Sequence, residues 1–284
     1  MAVLSTYLTD VKGSVSSKGD SLRTTRPIMC NSDFEGSPPY LRHGAQPEVV
    51  PAIRDVPMLQ PYWAAGFPCP STLRLLPTTA GEEISMGIRA WTHGYDLYAP
   101  QSSVLFHEYA QMSSRRRHVP KFYEAKNKHR SDGRKSLKRL TALIGMAPVG
   151  QGDDWDHTKE ALYGLGSERP VELFYKLALV DVAKRSAVPL CQFIHTGDMH
   201  RLLHDAYLRP DGRGIDYSGA AQNVDVMRVI DRRLYTPITT MLKRAQSTGN
   251  VNGARSALSE AQRTKLVEHH PELGGLVEEV RKIH

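Results

Sequence analysis

Between Gly81 and Pro100 the chain runs from a helix-like segment through one turn into a strand-like one, and this unit restricts the fold more than any other stretch. Ile84, Ile88 and Trp91 recur at i, i+4 and i+7, which puts them on one face of a helix over Gly81 to Trp91. Thr78 and Thr79 ahead of it are capping residue types, and Glu82 and Glu83 fall in the first turn, where carboxylates complement the helix dipole. Gly94 supplies the stop. Tyr95 to Ala99, ended by Pro100, and Ser103 to His107 then read as two short strands. A helix feeding strands in this way predicts an α/β class.

The rest of the chain is less patterned. Residues 1 to about 60 read as irregular, with turn-rich stretches at Gly36-Ser37-Pro38-Pro39 and from Pro47 to Pro51. Leu137 to Ile144 is expected as a short helix, residues 146 to 167 as a Gly- and Asp-rich loop, and Pro170 to about Lys184 as a helix. Further helices are expected at 197–208, 222–235 and 258 to the end, broken at Pro210-Asp211-Gly212 and at Pro237. The predicted domains are 1–145 and a mainly helical 146–284.

Cys30, Cys69 and Cys191 are odd in number, widely spaced and not in a CxxC pair, which argues against a disulfide framework and for a reducing, cytoplasmic compartment. The N-terminus lacks the basic and apolar runs of a signal peptide, and no stretch reaches the roughly 18 apolar residues of a membrane span. A soluble, untargeted chain is expected.

The net charge of +7 is concentrated. From Arg115 to Arg139 eleven Lys/Arg face only Glu124 and Asp132, a local charge of +9 that leaves the remainder at −2. Such a segment is either a solvated face or the contact for an anion such as phosphate, pyrophosphate, nucleic acid or an acidic protein. Only Phe122 and Tyr123 interleave with these cations, and no helix-turn-helix, zinc-finger or RNP motif is present, which makes nucleic acid the weaker partner.

Glu82 and Glu83 at a helix start, with His107 at a strand end, form the type of arrangement that binds polar hydroxyls and a divalent metal. The same residues also fit plainer roles, the glutamates as dipole partners and His107 as an ordinary hydrogen-bonded histidine. Asp154-Trp155-Asp156 has a metal-like spacing but lies in the Gly/Asp loop and is read as exposed loop.

Trp63-Ala64-Ala65-Gly66-Phe67, Gly81-Glu82-Glu83-Ile84, Arg89, Trp91-Thr92-His93-Gly94-Tyr95-Asp96, Pro100 and His107-Glu108-Tyr109 together resemble the signature of the GlcNAc-transferring glycosyltransferase family. That family includes the polypeptide N-acetylglucosaminyltransferases that modify hydroxyproline on a ubiquitin-ligase adaptor protein. Leu4-Ser5-Thr6-Tyr7, Tyr163-Gly164-Leu165-Gly166 with Arg169, Cys191, and Gly214-Ile215-Asp216-Tyr217 extend the likeness. The resemblance sets the start of the chain at the middle of the family's catalytic domain, and the half that carries an Asp-x-Asp-like or Asp-x-His-like metal motif is expected to be missing, leaving a partial or inactive form.

The resemblance implies the C-terminal portion of a GT-A fold with a mainly helical extension, and retaining transfer of GlcNAc from UDP-GlcNAc to a protein hydroxyl. Glu82 and Glu83 would be catalytic, His107 would be a late ligand to Mn²⁺ or Mg²⁺, and Trp63, Gly66, Gly81, Arg89, Trp91, His93 and Asp96 would shape the substrate pocket, with Asp96 alternatively orienting His93 or Arg89. Segment 115–139 would close as a lid hinged at Gly133, with Arg115, Arg116 and Arg117 on the pyrophosphate. Two non-catalytic readings compete: a binding protein that uses segment 115–139 for nucleic acid or an acidic partner, and an interaction module built on the C-terminal helices, whose apolar faces are expected instead to pack on the body of the chain.

Overall fold

The N-terminal strands pair with the segment that follows the first helix. The structure, a computed structural model, describes residues 2–5, 9–12, 14–22, 25–35, 39–43, 48–51, 58–59, 82–107, 138–146 and 160–283. Its strands are β1 (Ala2–Leu4), β2 (Thr9–Asp10), β3 (Thr25–Ile28), β4 (Ser32–Glu35), β5 (Tyr40–His43), β6 (Glu48–Pro51), β7 (Met58–Leu59), β8 (Asp96–Ala99), β9 (Phe106–His107), β10 (Val180–Asp181) and β11 (Ser186–Ala187). β8 is the centre of a three-stranded sheet, parallel to β1 with Leu4 opposite Tyr98 and antiparallel to β7. β2 and β9 form a second parallel pair in which Asp10 stands opposite His107. β4 and β5 are a hairpin nested between β3 and β6. The expectation of an irregular N-terminal region is therefore corrected: strands of two to four residues are too short for a period-two pattern to declare itself.

The helices are α1 (Glu82–Thr92), α2 (138–143), α3 (Glu160–Tyr163), α4 (Val171–Leu177), α5 (Cys191–His195), α6 (Tyr217–Asn223), α7 (Val226–Ile230), α8 (Thr236–Thr248), α9 (Val251–Arg263), α10 (Leu266–His269) and α11 (Gly274–Arg281), with π-helical segments at His200–Asp205 and Asp231–Tyr235. α1 matches its prediction, with Ile84, Ile88 and Trp91 all buried. Gly94 adopts φ 90°, a left-handed conformation that costs glycine little, and its N–H bonds Trp91 O at 3.0 Å to end the helix.

Two helix expectations are corrected. The helix from Pro170 stops at Leu177, because Leu179 turns left-handed (φ 51°) and the chain folds back as the β10–β11 hairpin instead of running to Lys184. Pro237 does not break the C-terminal region. It occupies the first turn of α8, just after the π-helical segment 231–235, where the wider winding relieves the clash between the proline ring and the preceding turn.

The cysteine reading is also corrected. Cys30 and Cys191 form a disulfide across 161 residues, a pairing that spacing along the chain does not reveal. The argument from cysteines for a reducing, cytoplasmic compartment loses its ground. Among the described residues no helix is long and apolar enough to cross a membrane.

One cluster of buried apolar residues runs from Ile28 and Leu41 through α1 and α4 to α8, α9 and α11, so the apolar faces of the C-terminal helices are packed against the rest of the chain. Two polar links reinforce the junction: Leu190 N–H donates to Cys30 O at 3.1 Å, and Lys265 Nζ lies 2.9 Å from Asp33 Oδ1.

Candidate functional site

α1 joins β8 through a turn of three residues, so helix and strand run antiparallel and Glu82 and Glu83 open α1 toward the carboxyl end of β8. β2 and β9 also end together, on Asp10 and His107. Carboxyl ends of parallel strands are where ligands bind in open α/β sheets, because the loops beyond them are free to carry chemistry. Asp10 is exposed and accepts a hydrogen bond from the Lys12 backbone N–H at 2.9 Å. Sequence reading missed Asp10; only the strand register brings it beside His107.

The other end of α1 is closed by a buried ionic centre. Asp96 and Arg169 are 2% and 7% exposed and meet at 2.8 Å. The same guanidinium donates to the carbonyls of Gly94 (3.1 Å) and Tyr95 (3.2 Å) and reaches Trp91 O at 3.5 Å, neutralising the C-terminal end of α1. It packs against two rings that also touch each other, 5.3 Å from the centre of Trp91 and 4.7 Å from that of Tyr217. The full burial of Tyr217, and then the nearby Asp96 carboxylate, raise its phenol far above the ordinary value. Burial first, and the nearby Asp96 next, likewise raise Tyr98. Both phenols are protonated donors at neutral pH.

Thr92 completes the junction. Its Oγ1 donates to Arg89 O and accepts from Gly166 N–H at 2.9 Å, and its carbonyl accepts from Glu168 and Arg169 N–H. A Cβ at Gly166 would come within 2.5 Å of Thr92 O and 2.6 Å of His93 N, so only glycine fits. The motif residues thus separate. Trp91 is buried against Phe174 and Tyr217, Asp96 bonds Arg169 rather than His93 or Arg89, His93 is exposed, and Arg89 is half-buried with its guanidinium 5.9 Å from the Tyr163 ring. Gly166, Arg169 and Tyr217, outlying matches in the sequence, converge here on the central motif.

Trp63, Gly66, Gly81, Arg115, Arg116, Arg117, Cys69 and Asp154-Trp155-Asp156 lie outside the described residues, as does the lid segment up to residue 137. Its last two cations, Lys138 and Arg139, open α2. Arg139 is 9% exposed, and its Nε and Nη2 have no hydrogen-bond partner among the described residues.

A family model described as Glycosyltransferase (GlcNAc) matches residues 1–184. Neither a curated protein nor a solved structure matches the chain. The matched span contains the β1–β8 and β2–β9 pairs, α1 and Arg169, and it ends within the β10–β11 hairpin.

Proposed function

The chain belongs to the GlcNAc glycosyltransferase family, and from that premise we propose that it transfers GlcNAc from UDP-GlcNAc to a protein hydroxyl of the hydroxyproline, serine or threonine type, with a GT-A-like arrangement of donor and acceptor at the strand ends. What supports this reading is the parallel β2–β9 pair, whose last register pair is Asp10 and His107. In the reaction the bond from the anomeric carbon to the β-phosphate oxygen breaks, a bond to the acceptor oxygen forms, and the acceptor's proton passes to the departing diphosphate oxygen.

The donor set of Asp10 and His107 fits Mn²⁺ or Mg²⁺, hard ions that accept carboxylate oxygen, with imidazole favouring Mn²⁺. When bound there, such a cation supplies charge to offset the diphosphate. The chain's own groups do the rest. Glu82 and Glu83 accept hydrogen bonds from sugar and acceptor hydroxyls, which holds the attacking oxygen on the face of the sugar that the diphosphate leaves. The basic segment 115–139 covers the diphosphate and excludes water, a competing acceptor. Arg139 supports this role, since a buried guanidinium whose Nε and Nη2 find no partner among the described residues is suited to meet an anion. The Arg169–Asp96 centre positions α1 without touching substrate.

The test is transfer of labelled GlcNAc from UDP-GlcNAc to protein acceptors, with release of UDP measured alongside. Glu82→Gln and His107→Ala are expected to lower transfer by at least about a hundredfold while the fold persists. UDP with Mn²⁺ is expected to raise the melting temperature of the unaltered chain and to do so less in His107→Ala. Transfer that survives both substitutions unchanged overturns the site. Nucleic-acid retention that falls steeply with salt, without any UDP effect, favours the binding-protein reading instead.

A further inference from the structure

Outside the family match, the π-helical segment His200–Asp205 gathers two half-buried imidazoles and an exposed carboxylate. We propose that His200, His204 and Asp205 bind one divalent transition-metal ion of the Zn²⁺ class, leaving a coordination position to water. This is separate from the cation proposed at His107 and does not rest on the transferase reading.

The winding of the segment is the physical basis. In an α-helix two histidines at i and i+4 share a face, but residue i+5 points about 140° away round the axis. A π turn closes its hydrogen bond at i+5 and brings that residue back over i. Asp205 therefore stands over His200, with Oδ1 3.4 Å from His200 Nε2 and 2.9 Å from His204 Nδ1. Tetrahedral ligands at zinc-bond lengths of about 2.0–2.1 Å are separated by about 3.3 Å, so the His200–Asp205 spacing suits a shared ion, and the 2.9 Å His204–Asp205 contact is a hydrogen bond that a bound ion would replace. The potential ligand atoms all lie within 4.8 Å of one another.

The two rings are held close but not yet in ligand geometry. His200 and His204 stack at 4.2 Å with 16° between their planes, so one ring turns out of the stack for both nitrogens to face a shared ion, while Tyr98, from the central sheet strand, makes a T-shaped contact with His204 at 5.7 Å. The segment itself is anchored from below by Met199 (5% exposed) and Leu203 (0% exposed). Its N-terminal side is tied down by fully buried Asp198, which accepts from Thr196 Oγ1 (2.7 Å), from Arg233 Nε (2.9 Å) and from Arg201. Arg233 belongs to the other π-helical segment, so each π turn braces the other. Two imidazoles and one carboxylate with open positions form a donor set that takes Zn²⁺, Co²⁺ or Fe²⁺ in preference to Mg²⁺ or Ca²⁺.

The experiment uses the full chain with its disulfide intact, stripped with a chelator and dialysed against Zn²⁺, with bound metal counted per chain. Expected is an ion lost from the count in His204→Ala and Asp205→Asn, each with affinity at that site lowered about tenfold or more, and retained in His107→Ala. Asp205 is 57% exposed, so Asp205→Asn is the variant least able to disturb folding. As a second reading, Co²⁺ added to the unaltered chain is expected to give the strong visible absorption of a low-symmetry site. Zn²⁺ binding that is absent, or unchanged in Asp205→Asn, overturns the proposal. So does a Co²⁺ spectrum that stays that of the hydrated ion.

Discussion

Arg169 does several jobs with one planar group: it pairs with Asp96, caps α1 through the carbonyls of Gly94 and Tyr95, and packs against both Trp91 and Tyr217. Lysine carries the same charge but cannot present a fork of donors in one plane or lay a flat cation against a ring. Arg169→Met is expected to lower unfolding free energy by about 3–5 kcal/mol, because it leaves Asp96 buried and unpaired. Arg169→Lys is expected to fall between that variant and the unaltered chain in urea unfolding. Equal stability of Arg169→Lys and the unaltered chain would mean that charge alone matters at this centre. The residues of the network were visible in the sequence as motif members, but their joint role was not. Asp96 and Arg169 are 73 residues apart, and no periodic pattern connects them.

Elements were legible where local physics alone sets them. α1 declared itself through three apolar residues at helical spacing and a glycine stop, and β8 through its proline end. β2 and β9, each two residues long, carry no period, so the pairing of Asp10 with His107 emerges only from tertiary register. The π-helical segments were likewise unreadable, since i, i+4 and i+5 spacing has no meaning until the winding is known. α9 was expected to begin at 258 but begins at Val251, because its start is set by a cap rather than by an apolar face. Asn250 Oδ1 accepts from Asn252 and Gly253 N–H at 3.1 and 3.2 Å, directly after the left-handed Gly249 that ends α8. Asn250→Ala removes that acceptor and is expected to cost about 1 kcal/mol, read as a lower midpoint in urea with unchanged slope. A loss near zero would mean that packing of Ala254, Ala257 and Ala261 fixes the helix start by itself.

At the scale of the molecule, the disulfide closes a loop of 161 residues between the strand region and the helical region, across elements already joined by other means. Ile28, Met29 and Leu41 are almost completely buried, Leu190 bonds the Cys30 carbonyl, and Lys265 meets Asp33. These contacts hold the native arrangement whether or not the sulfurs are bonded, so the crosslink acts mainly by restricting the unfolded chain. Cys30→Ser with Cys191→Ser is expected to lower stability by about 2–5 kcal/mol. Because the unfolded chain then expands, the urea slope is expected to rise while the midpoint falls. Amide exchange of Ile28, Met29 and Leu41 in the native state separates this account from a local one. Protection there that drops only by the global loss supports an unfolded-state effect. Protection lost at those residues alone, with the helical region unchanged, would make the disulfide a strap holding the N-terminal strands against α5.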